Sequence, residues 1–483
     1  MIRLPAPAFE PAVAARRVSA GADPIWLASP GATSDTEILF DAVACDPFSV
    51  VRGSDVDALE IAWRDARRRW CSSDGVAAAA EIPMGVGWLA YDLARQWMPL
   101  PGSPRQSDDR AWPDLEFRFF DAIWMRHAGS LEAFVLAVDD AAAARLLGRL
   151  ADVAGTPARS TLPGAKMGRT PSRGLARLRG TEGRTAYASA IARIQEYLRS
   201  GDVYQVNLAR RLISQERAGV GDLDPDEEAA SADLEPLGIA EALRAAAPAP
   251  HAIWLASRSE LSGPLDRFVV GNSPERFLRV DVDRNVETRP IKGTRPRRRD
   301  ATADAASRRE LEVSAKDKAE HVMIVDLERN DLGRVAETGS VVCEDLLRVV
   351  GFPTVHHLVS TVRARLRADV GLAALLRATF PGGSITGAPK RRAMEIIDEL
   401  EPARRGLYTG ATGWLGAAGD LDLAIAIRTA VIDHGRMTLS VGGGIVIDSD
   451  AEAEWAETED KARAFLDLSS DRGEGLGVSD VNV

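Results

Sequence analysis

One lysine, held between two prolines, is the side chain of this sequence best suited to act as a nucleophile. Lys292 lies in the segment TRPIKGTRPR. Pro290 and Pro296 fix the backbone dihedral φ and remove two N–H donors, so the segment predicts an extended strand end that enters a turn. An amine attacks carbon only when it is neutral, and we expect the guanidinium groups of Arg289 and Arg295 to favour that form. The alternative is a solvated basic turn, which is the ordinary environment of lysine.

An arginine in an alternating segment is a second candidate. The sequence LDLAIAIRTAVI, from Leu421 to Ile432, predicts a strand on which Arg428 shares one face with alanines. Small neighbours leave room beside the guanidinium, whose planar fork can hold a carboxylate through two hydrogen bonds. We therefore predict that Arg428 binds a substrate carboxylate. The alternative is a half-buried structural ion pair.

Two acidic helices indicate a metal site. After Asp450, helical geometry places Glu454, Glu457 and Lys461 on one face together with Phe465. The alternative for Glu457 and Lys461 is an ordinary i,i+4 pair on a solvent-facing helix.

A second predicted helix, KDKAEHVMIVDLERN, carries Asp317 and Glu320 three residues apart. If this pair and the pair on the last helix face one cavity, they would bind Mg²⁺, which prefers oxygen ligands. Zinc is not expected, because few histidine and cysteine residues lie nearby.

Two glycine-rich segments predict close contact between backbone and ligand. Gly442, Gly443 and Gly444 interrupt a strand pattern, as glycines do at a bulge or where a ligand approaches the chain. The segment PGGSITGAPK, which contains Thr386, precedes a predicted helix whose free N–H groups favour an anion. It is not a Walker A phosphate loop, because Ala388 and Pro389 follow Gly387 where lysine and serine or threonine are required. A plain glycine-rich helix entry is the alternative.

Composition places the chain among ordinary globular proteins. Its 483 residues are 45% hydrophobic and 27% charged, which is enough to bury a large core. The net charge of -11 disfavours nucleic acid as the main partner. The three cysteines suggest neither a disulfide framework nor a metal knuckle. No apolar run approaches the ~18 residues of a membrane span and no secretory signal is evident, so we expect no membrane association and a cytoplasmic location.

Polar and glycine-proline-rich segments predict how the chain is divided. An acidic insertion and the C-terminal tail lack any apolar period, and we expect both to be disordered. The predicted divisions are an N-terminal part (1–155), a linker (156–175), a catalytic part (176–468) containing the acidic insertion (214–236), and a tail (469–483).

Several motifs, taken in their order and spacing, resemble the chorismate-binding enzyme family. They are SPERF, TRPIKGTRPR, AEHVMIVDLERNDLGRV, HHLVS, PGGSITGAPK and ETEDKA, between residues 273 and 462. The resemblance implies an α+β fold in which two large, mostly antiparallel β-sheets pack as a sandwich flanked by helices, with the N- and C-terminal parts sharing one core. It also implies Mg²⁺ as the cofactor and chorismate as the substrate.

The resemblance further implies roles for individual residues. Lys292 would attack ring carbon C2, and Glu275 would act first as an acid and then as a base. The residues implied at the metal are Glu320 and Glu457, with Asp317 and Glu454 behind them. The residues implied at the substrate are Gln205, His357, Thr386, Tyr408, Arg428, Gly442, Gly443, Gly444 and Lys461. A core position is the alternative for His357.

Two positions distinguish branches of the family. Gln205 stands where the water-using branches have a lysine, which implies ammonia as the nucleophile. PIKGT at Lys292, instead of PIAGT, implies amination at C4 with the pyruvate side chain retained. The anthranilate-forming branch is the alternative, and a catalytically silent binding or scaffold protein is an alternative of another class. No cysteine lies in a glycine-flanked elbow, so we expect a separate glutamine amidotransferase subunit to supply ammonia.

Overall fold

The structure is a computed structural model, and it describes most of the chain. The described residues are 1–28, 40–71, 80–100, 112–152, 178–214, 236–259, 263–352 and 355–469. The predicted linker, the interior of the acidic insertion and the tail beyond Ser469 lie outside them. Within these ranges, no helix is long and apolar enough to cross a membrane.

The described strands are numbered along the chain. They are β1 (Ile2–Ala6), β2 (Ile25–Ala28), β3 (Phe40–Ala44), β4 (Ser49–Gly53), β5 (Gly85–Leu89), β6 (Leu115–Phe119), β7 (Ala122–His127), β8 (Ala133–Ala137), β9 (Leu178–Gly180), β10 (Gln205–Ser214), β11 (His251–Ser257), β12 (Arg267–Ser273), β13 (Arg276–Val280), β14 (Asn285–Thr288), β15 (Ile291–Pro296), β16 (Val342–Gly351), β17 (Val355–Arg365), β18 (Gly387–Ala388), β19 (Ala411–Leu415), β20 (Leu421–Ile425), β21 (Thr429–Asp433) and β22 (Arg436–Ile445).

The described α-helices are numbered in the same way. They are α1 (Pro11–Val18), α2 (Val56–Trp70), α3 (Asp140–Ala151), α4 (Arg184–Ser200), α5 (Pro236–Ala246), α6 (Ala301–Val313), α7 (Ala315–Gly333), α8 (Leu372–Thr379), α9 (Lys390–Leu400) and α10 (Ala451–Ser469). Helix α7 begins at a capping serine, because the Ser314 hydroxyl accepts a hydrogen bond from the Asp317 N–H at 3.2 Å.

The strands form two antiparallel sheets. The twelve-stranded sheet has the order β1-β8-β7-β3-β2-β11-β12-β21-β22-β10-β18, with β9 beside β10. The ten-stranded sheet has the order β15-β17-β14-β13-β20-β19-β5-β6-β4, with β16 beside β17. Because β2 pairs with β11 and β5 pairs with β19, early and late parts of the chain contribute to both sheets.

The main core lies between the two sheets. It buries Leu27 and Leu255 of one sheet and Trp88 and Leu423 of the other. A second core covers the outer face of the twelve-stranded sheet, where α1, α3, α5 and α10 pack. Burial of these apolar faces is the main driving force for this arrangement. Helix α7 lies against β15 and β17, and α10 lies against β22, so two acidic helices approach the sheets near the same strand ends.

Candidate active site

The Lys292 amine lies in a cleft and not in a solvated turn. Its Nζ is 3.1 Å from Glu320 Oε1, and the lysine side chain is 12% exposed. The next residue, Gly293, has a φ of +68° at a point where the pairing of β15 with β17 shifts register. A Cβ at Gly293 would lie 2.7 Å from Leu311 Cδ1. This bulge therefore needs glycine both for its backbone conformation and for the close approach of α6.

The expectation that Arg295 acts on the Lys292 amine is wrong. The Arg295 guanidinium is 2.7 Å from Glu310 and 3.1 Å from Asp317, so two carboxylates neutralise it. This occurs because α6 and α7 lie across β15 and present acidic side chains to it. Asp317 is consequently bound to Arg295, one turn away from the pair formed by Lys292 and Glu320.

Gln205 shares a carboxylate with Lys292. Its Nε2 donates to Glu320 Oε1 at 2.6 Å, and it reaches that atom from β10 in the other sheet. Its Oε1 is buried and has no hydrogen-bond partner among the described residues, and the same is true of His357 Nε2. Buried polar atoms without partners are uncommon, and here they leave an acceptor and a ring nitrogen available to a ligand.

Glu275 has the environment of a general acid. It is buried at the start of β13, and its Oε1 accepts a hydrogen bond from the Ile291 N–H at 3.4 Å. Burial raises the pKa of Glu275 above its ordinary value and outweighs the opposing effects of Ser384 and the Lys292 ammonium. A raised pKa favours the protonated carboxyl, which is the form that can donate a proton to a leaving group.

His357 lies on β17 as a neutral ring. Its Nδ1 is 3.0 Å from the Thr294 hydroxyl oxygen. Burial lowers the pKa of His357 to about 3, and the charges of Arg428 and Lys461 add to the effect. The ring therefore lies beside the candidate site and is also buried in the core. The expected position at the substrate and the alternative of a core position each describe part of its environment.

Arg428 lies between two strands, and the prediction of one continuous strand is wrong. Strand β20 belongs to the ten-stranded sheet and β21 to the twelve-stranded sheet, so the chain crosses between sheets at residues 426–428. Arg428 has a φ of +48°, which is uncommon for a residue other than glycine. The apolar alternation continues through the crossing because Ala426 and Ala430 are buried in two different cores.

The guanidinium of Arg428 remains a candidate for carboxylate binding. Burial lowers the pKa of Arg428, and the nearby carboxyl group of Glu275 opposes this change. The crossing thus places a cation beside Glu275 and His357. A positive φ at such a position is strain that the surrounding structure must hold.

The glycines of β22 form one wall of the cleft, opposite α10. A Cβ at Gly443 would lie 3.1 Å from Glu454 Oε2 and 3.6 Å from Glu457 Oε1. Lys461 Nζ is 2.6 Å from Glu457 and donates to the Gly442 carbonyl at 2.7 Å. The predicted i,i+4 pair is therefore present, and it faces the glycine strand.

Glu454 and Glu457 of α10 differ in charge environment. Burial raises the pKa of Glu454, although Ser449 donates to its Oε1 at 2.7 Å. Partial burial also raises the pKa of Glu457, but the Lys461 ammonium outweighs this and the net pKa is lowered. Glu457 is the more open of the two, with 53% of its side chain exposed.

The predicted magnesium cluster is not assembled as a group of ligands. Within the described ranges, no three acidic, histidine or cysteine side chains meet in an arrangement that could hold a metal ion. Lys292 and Lys461 instead bind Glu320 and Glu457 directly, because adjacent carboxylates repel each other unless a cation separates them.

The donor atoms nevertheless fit a hard divalent cation. A Cβ at Gly444 would lie 2.9 Å from Glu320 Oε1, and one at Gly443 would lie 3.6 Å from Glu457 Oε1. Carboxylate oxygens from α7 and α10 thus each lie beside one of two successive glycines, and the charge of Lys292, which binds Glu320, also helps to lower the pKa of Glu457. Oxygen ligands of this kind suit Mg²⁺.

Thr386 and Tyr408 are both buried. The Thr386 hydroxyl donates to the Gly382 carbonyl at 3.0 Å, so it stabilises its own loop. Burial raises the pKa of Tyr408, and the Arg405 guanidinium lies 5.7 Å from its ring centre. In the described structure Thr386 therefore supports its loop, and Tyr408 packs beside Arg405.

Sequence analysis missed two groups that support this site. Arg405 is buried and donates to the Glu401 carboxylate. It also donates to the Ile385 carbonyl at 2.9 Å and to the Asn207 carbonyl at 2.8 Å. These bonds connect the PGGS loop (381–384) and the residue after it to β10. Glu328 is buried on α7. The i,i+4 spacing of Glu401 and Arg405 was visible in the sequence, as was Glu328 on the helix that carries Glu320.

Comparisons with known proteins agree with this fold and cleft. The aminodeoxychorismate synthase component 1 of Klebsiella aerogenes is 42% identical over 382 residues, which cover 79% of this chain and 76% of that protein. The anthranilate synthase component 1 of Streptomyces coelicolor is 39% identical, over 79% of this chain and 71% of that protein. The crystal structure of anthranilate synthase component I from Streptococcus pneumoniae TIGR4 aligns with a TM-score of 0.68 and 26% identity, covering 90% of this chain and 94% of that one.

The fold and cleft define an enzyme that acts on a small anionic substrate. The chain belongs to the chorismate-binding enzyme family, whose model matches residues 24–467. The predicted family is therefore confirmed, and so is the α+β fold with two large antiparallel sheets.

Proposed function

We propose that this chain is the chorismate-aminating component of an aminodeoxychorismate synthase, and that it forms 4-amino-4-deoxychorismate. The observation that carries the proposal is the position of Lys292, whose amine lies in the cleft 3.1 Å from Glu320 and 12% exposed. The PIKGT sequence at this lysine and the 42% identity to an aminodeoxychorismate synthase component 1 support the same activity.

The proposed reaction has two displacement steps. In the first, Lys292 gives its ammonium proton to solvent and the resulting amine forms a bond to ring carbon C2 while the C4–O bond breaks, and Glu275 gives its proton to the leaving hydroxyl, which departs as water. In the second, ammonia forms a bond to C4 while the bond between C2 and Lys292 breaks. Glu275 then takes up the proton that the new ammonium group releases, which restores the starting acid.

Magnesium would be held by Glu320 and Glu457, with Glu454 behind them. When bound, the cation neutralises the ring carboxylate of the substrate. Asp317 contributes less directly, since it is already paired with Arg295. When no cation is bound, the ammonium groups of Lys292 and Lys461 pair with Glu320 and Glu457. We therefore expect the lysines and the cation to compete for the same carboxylate oxygens.

The substrate's second carboxylate would bind on the other side of the cleft. Arg428 supplies a partly buried guanidinium there, and Tyr408 and the glycines of β22 would form the wall. Gln205 and His357 each offer a buried atom without a partner among the described residues. A site with these groups orients a dicarboxylate through charge-assisted hydrogen bonds.

We further propose that ammonia comes from a glutamine amidotransferase subunit. Each of the three cysteines is free, and the sequence around each lacks the glycine-flanked elbow of a glutaminase nucleophile. The name "component 1" of the relative likewise refers to a protein with a second component. The cytoplasmic location stays a prediction from the sequence.

Product analysis tests the function. The purified chain is incubated with chorismate, Mg²⁺ and an ammonium salt, and the products are separated and identified by mass. We expect 4-amino-4-deoxychorismate from the wild type and from Arg299→Ala, a control on the exposed basic segment. We expect at least roughly a thousandfold less from Lys292→Ala, because the covalent route is lost.

Mass spectrometry of the intact chain tests the intermediate. With chorismate and Mg²⁺ but without ammonia, wild type should gain the mass of chorismate less one water, and Lys292→Ala should not. A fully active Lys292→Ala variant that makes the same product would contradict the nucleophile assignment. Unchanged chorismate in every incubation would favour the silent binding protein.

Anthranilate synthesis is the second candidate, and the 39% identity to an anthranilate synthase component 1 favours it. The two activities differ in the fate of the side chain, since anthranilate formation releases pyruvate. Coupled detection of pyruvate in the absence of any lyase therefore separates them. Stoichiometric pyruvate with anthranilate would replace the proposed activity with this one.

A further inference from the structure

Besides Glu275, a buried carboxyl group that the proposed reaction does not use lies on α7, the helix that carries Glu320. Glu328 is 7% exposed, and the hydroxyl of Thr288 donates a hydrogen bond to its Oε2. Thr288 ends β14 and is separated from Lys292 by three residues. Glu328 therefore holds the beginning of the segment that places the proposed nucleophile.

Glu275 holds the other end of the same segment. Its Oε1 accepts from the Ile291 N–H, immediately before Lys292. Glu328 and Glu275 thus contact positions 288 and 291 of the short extended link between β14 and β15, and neither is open to solvent. Two carboxyl groups in such a buried setting cannot both be charged without a large electrostatic cost.

A small cavity lies beside Glu328 and extends under the PGGS loop. Its wall includes Phe277, Thr288, Glu328, Thr379 and Gly383. A Cβ on Gly383 would lie 3.6 Å from Glu328 Cγ. The next loop residue is Ser384, which opposes the rise in the pKa of Glu275. The loop therefore joins the surroundings of the two carboxyl groups.

The charges that face Glu328 come from three directions. Glu275 faces it from the β12–β13 side, Asp331 lies one turn further along α7, and Lys390 faces it from α9. Lys390 is itself committed to Asp331, at 2.5 Å, and to the Thr379 carbonyl. Burial raises the pKa of Glu328 to about 8, and Thr288 opposes the change while Glu275 adds to it. Glu328 is therefore a neutral acid at pH 7.

We propose that Glu328 is a positioning residue for the amination: from behind the extended link at 288–291 it holds Thr288 and shares the buried surroundings of Glu275, the group that exchanges its proton with the substrate. When Glu328 loses its proton, a negative charge appears behind Glu275. Glu275 then holds its own proton more tightly and becomes a weaker acid toward the leaving hydroxyl. This role rests on the proposed function.

The test is the pH dependence of turnover at a fixed concentration of free ammonia. In the wild type, turnover should fall roughly tenfold as the pH passes through the ionisation of Glu328, because the new negative charge makes Glu275 a weaker acid. Glu328→Gln keeps the shape and the contact with Thr288 but cannot ionise, so this fall should be absent. Thr288→Val removes the hydrogen bond that favours the carboxylate, so the fall should move to higher pH.

Asp326→Asn is the matched control, because its side chain is 76% exposed on the same helix. It should reproduce the wild-type profile. Profiles of wild type and Glu328→Gln that coincide would overturn the proposal, and so would a shift of the Thr288→Val profile to lower pH.

A measurement that needs no turnover separates this proposal from the proposed function. Folded Glu328 keeps its proton up to about pH 8, whereas the unfolded residue loses it near 4.5, so its protonation makes stability fall as the pH rises between these values. Between pH 5.5 and 7.5, urea unfolding should show the wild type losing stability relative to Glu328→Gln, by up to about tenfold in the unfolding constant per pH unit. The same change in both proteins would refute a buried neutral Glu328, whereas loss of amination in all variants with this difference intact would refute only the function.

Discussion

Replacing Gly444 by alanine should disconnect Gln205 from Glu320 without disturbing the fold. A Cβ at this position would lie 1.9 Å from Gln205 Nε2 and 2.9 Å from Glu320 Oε1. Normal contact requires ~3.5 Å, so the Gln205 amide must move by at least about 1.5 Å. Its 2.6 Å hydrogen bond to Glu320 cannot survive that movement.

The size of the effect follows from the bond that is lost. A hydrogen bond to a charged group contributes about 1.5–3 kcal/mol. If the transition state depends on Glu320 in its present position, kcat/KM for chorismate should fall roughly 10- to 100-fold, since ~1.4 kcal/mol is a factor of ten. The assay is steady-state product formation with saturating Mg²⁺ and ammonium, together with a thermal unfolding scan.

The neighbouring glycines provide graded controls. An added Cβ at Gly443 meets the ends of the Glu454 and Glu457 side chains at 3.1 and 3.6 Å, which can move, so we expect a loss of less than roughly fivefold. At Gly442 it meets the Leu208 carbonyl at 2.4 Å, so folding should suffer as well as activity. Wild-type kcat/KM in Gly444→Ala, or equal losses at Gly443 and Gly444, would refute this account of the cleft wall.

Three further predictions follow from buried charges. Arg405→Lys should lower the free energy of unfolding by about 3 kcal/mol in urea titrations, because lysine cannot replace the bidentate contact with Glu401; an unchanged midpoint would contradict it. Arg428→Gln should raise KM for chorismate roughly 30-fold with a smaller effect on kcat, and a change confined to kcat would exclude a binding role. Between pH 6.5 and 5 the contribution of His357 to the stability of the wild type should fall by about 2 kcal/mol, because its folded pKa of about 3 lies below the unfolded value of 6.5. The variant His357→Asn should lose correspondingly less stability over the same range. Parallel changes of the two proteins in urea unfolding would refute a buried neutral ring.

Some of the candidate site could be predicted because its residues lie in short motifs. The two prolines and the glycine around Lys292 single it out, and in the structure its amine is 3.1 Å from Glu320 Oε1 and its side chain is 12% exposed. The face shared by Glu454, Glu457 and Lys461 follows from helical periodicity alone, and all three surround the glycine strand. Local geometry is fixed by nearby residues, so it can be inferred from them.

The errors arose where one local pattern covered two tertiary environments. Arg428 was assigned to a strand because alternation continues from Leu421 to Ile432, yet the chain leaves one sheet and enters the other at that residue. Both strands are buried, so the apolar pattern does not mark the crossing. Arg295 was assigned to Lys292 for its proximity in sequence, whereas α6 and α7 present two carboxylates to it.

The amino-acid sequence alone determined the family, the α+β class and the types of side chain available for chemistry, because these depend on motifs and periodicities that extend over a few residues. The tertiary structure decided which of these side chains meet. Gln205 reaches Glu320 across 115 positions of sequence, and Glu328 meets Thr288 across 40. Such contacts form only when the burial of two sheets and their helices fixes distant segments against each other. The conformational preferences of short segments do not show which distant segments will meet.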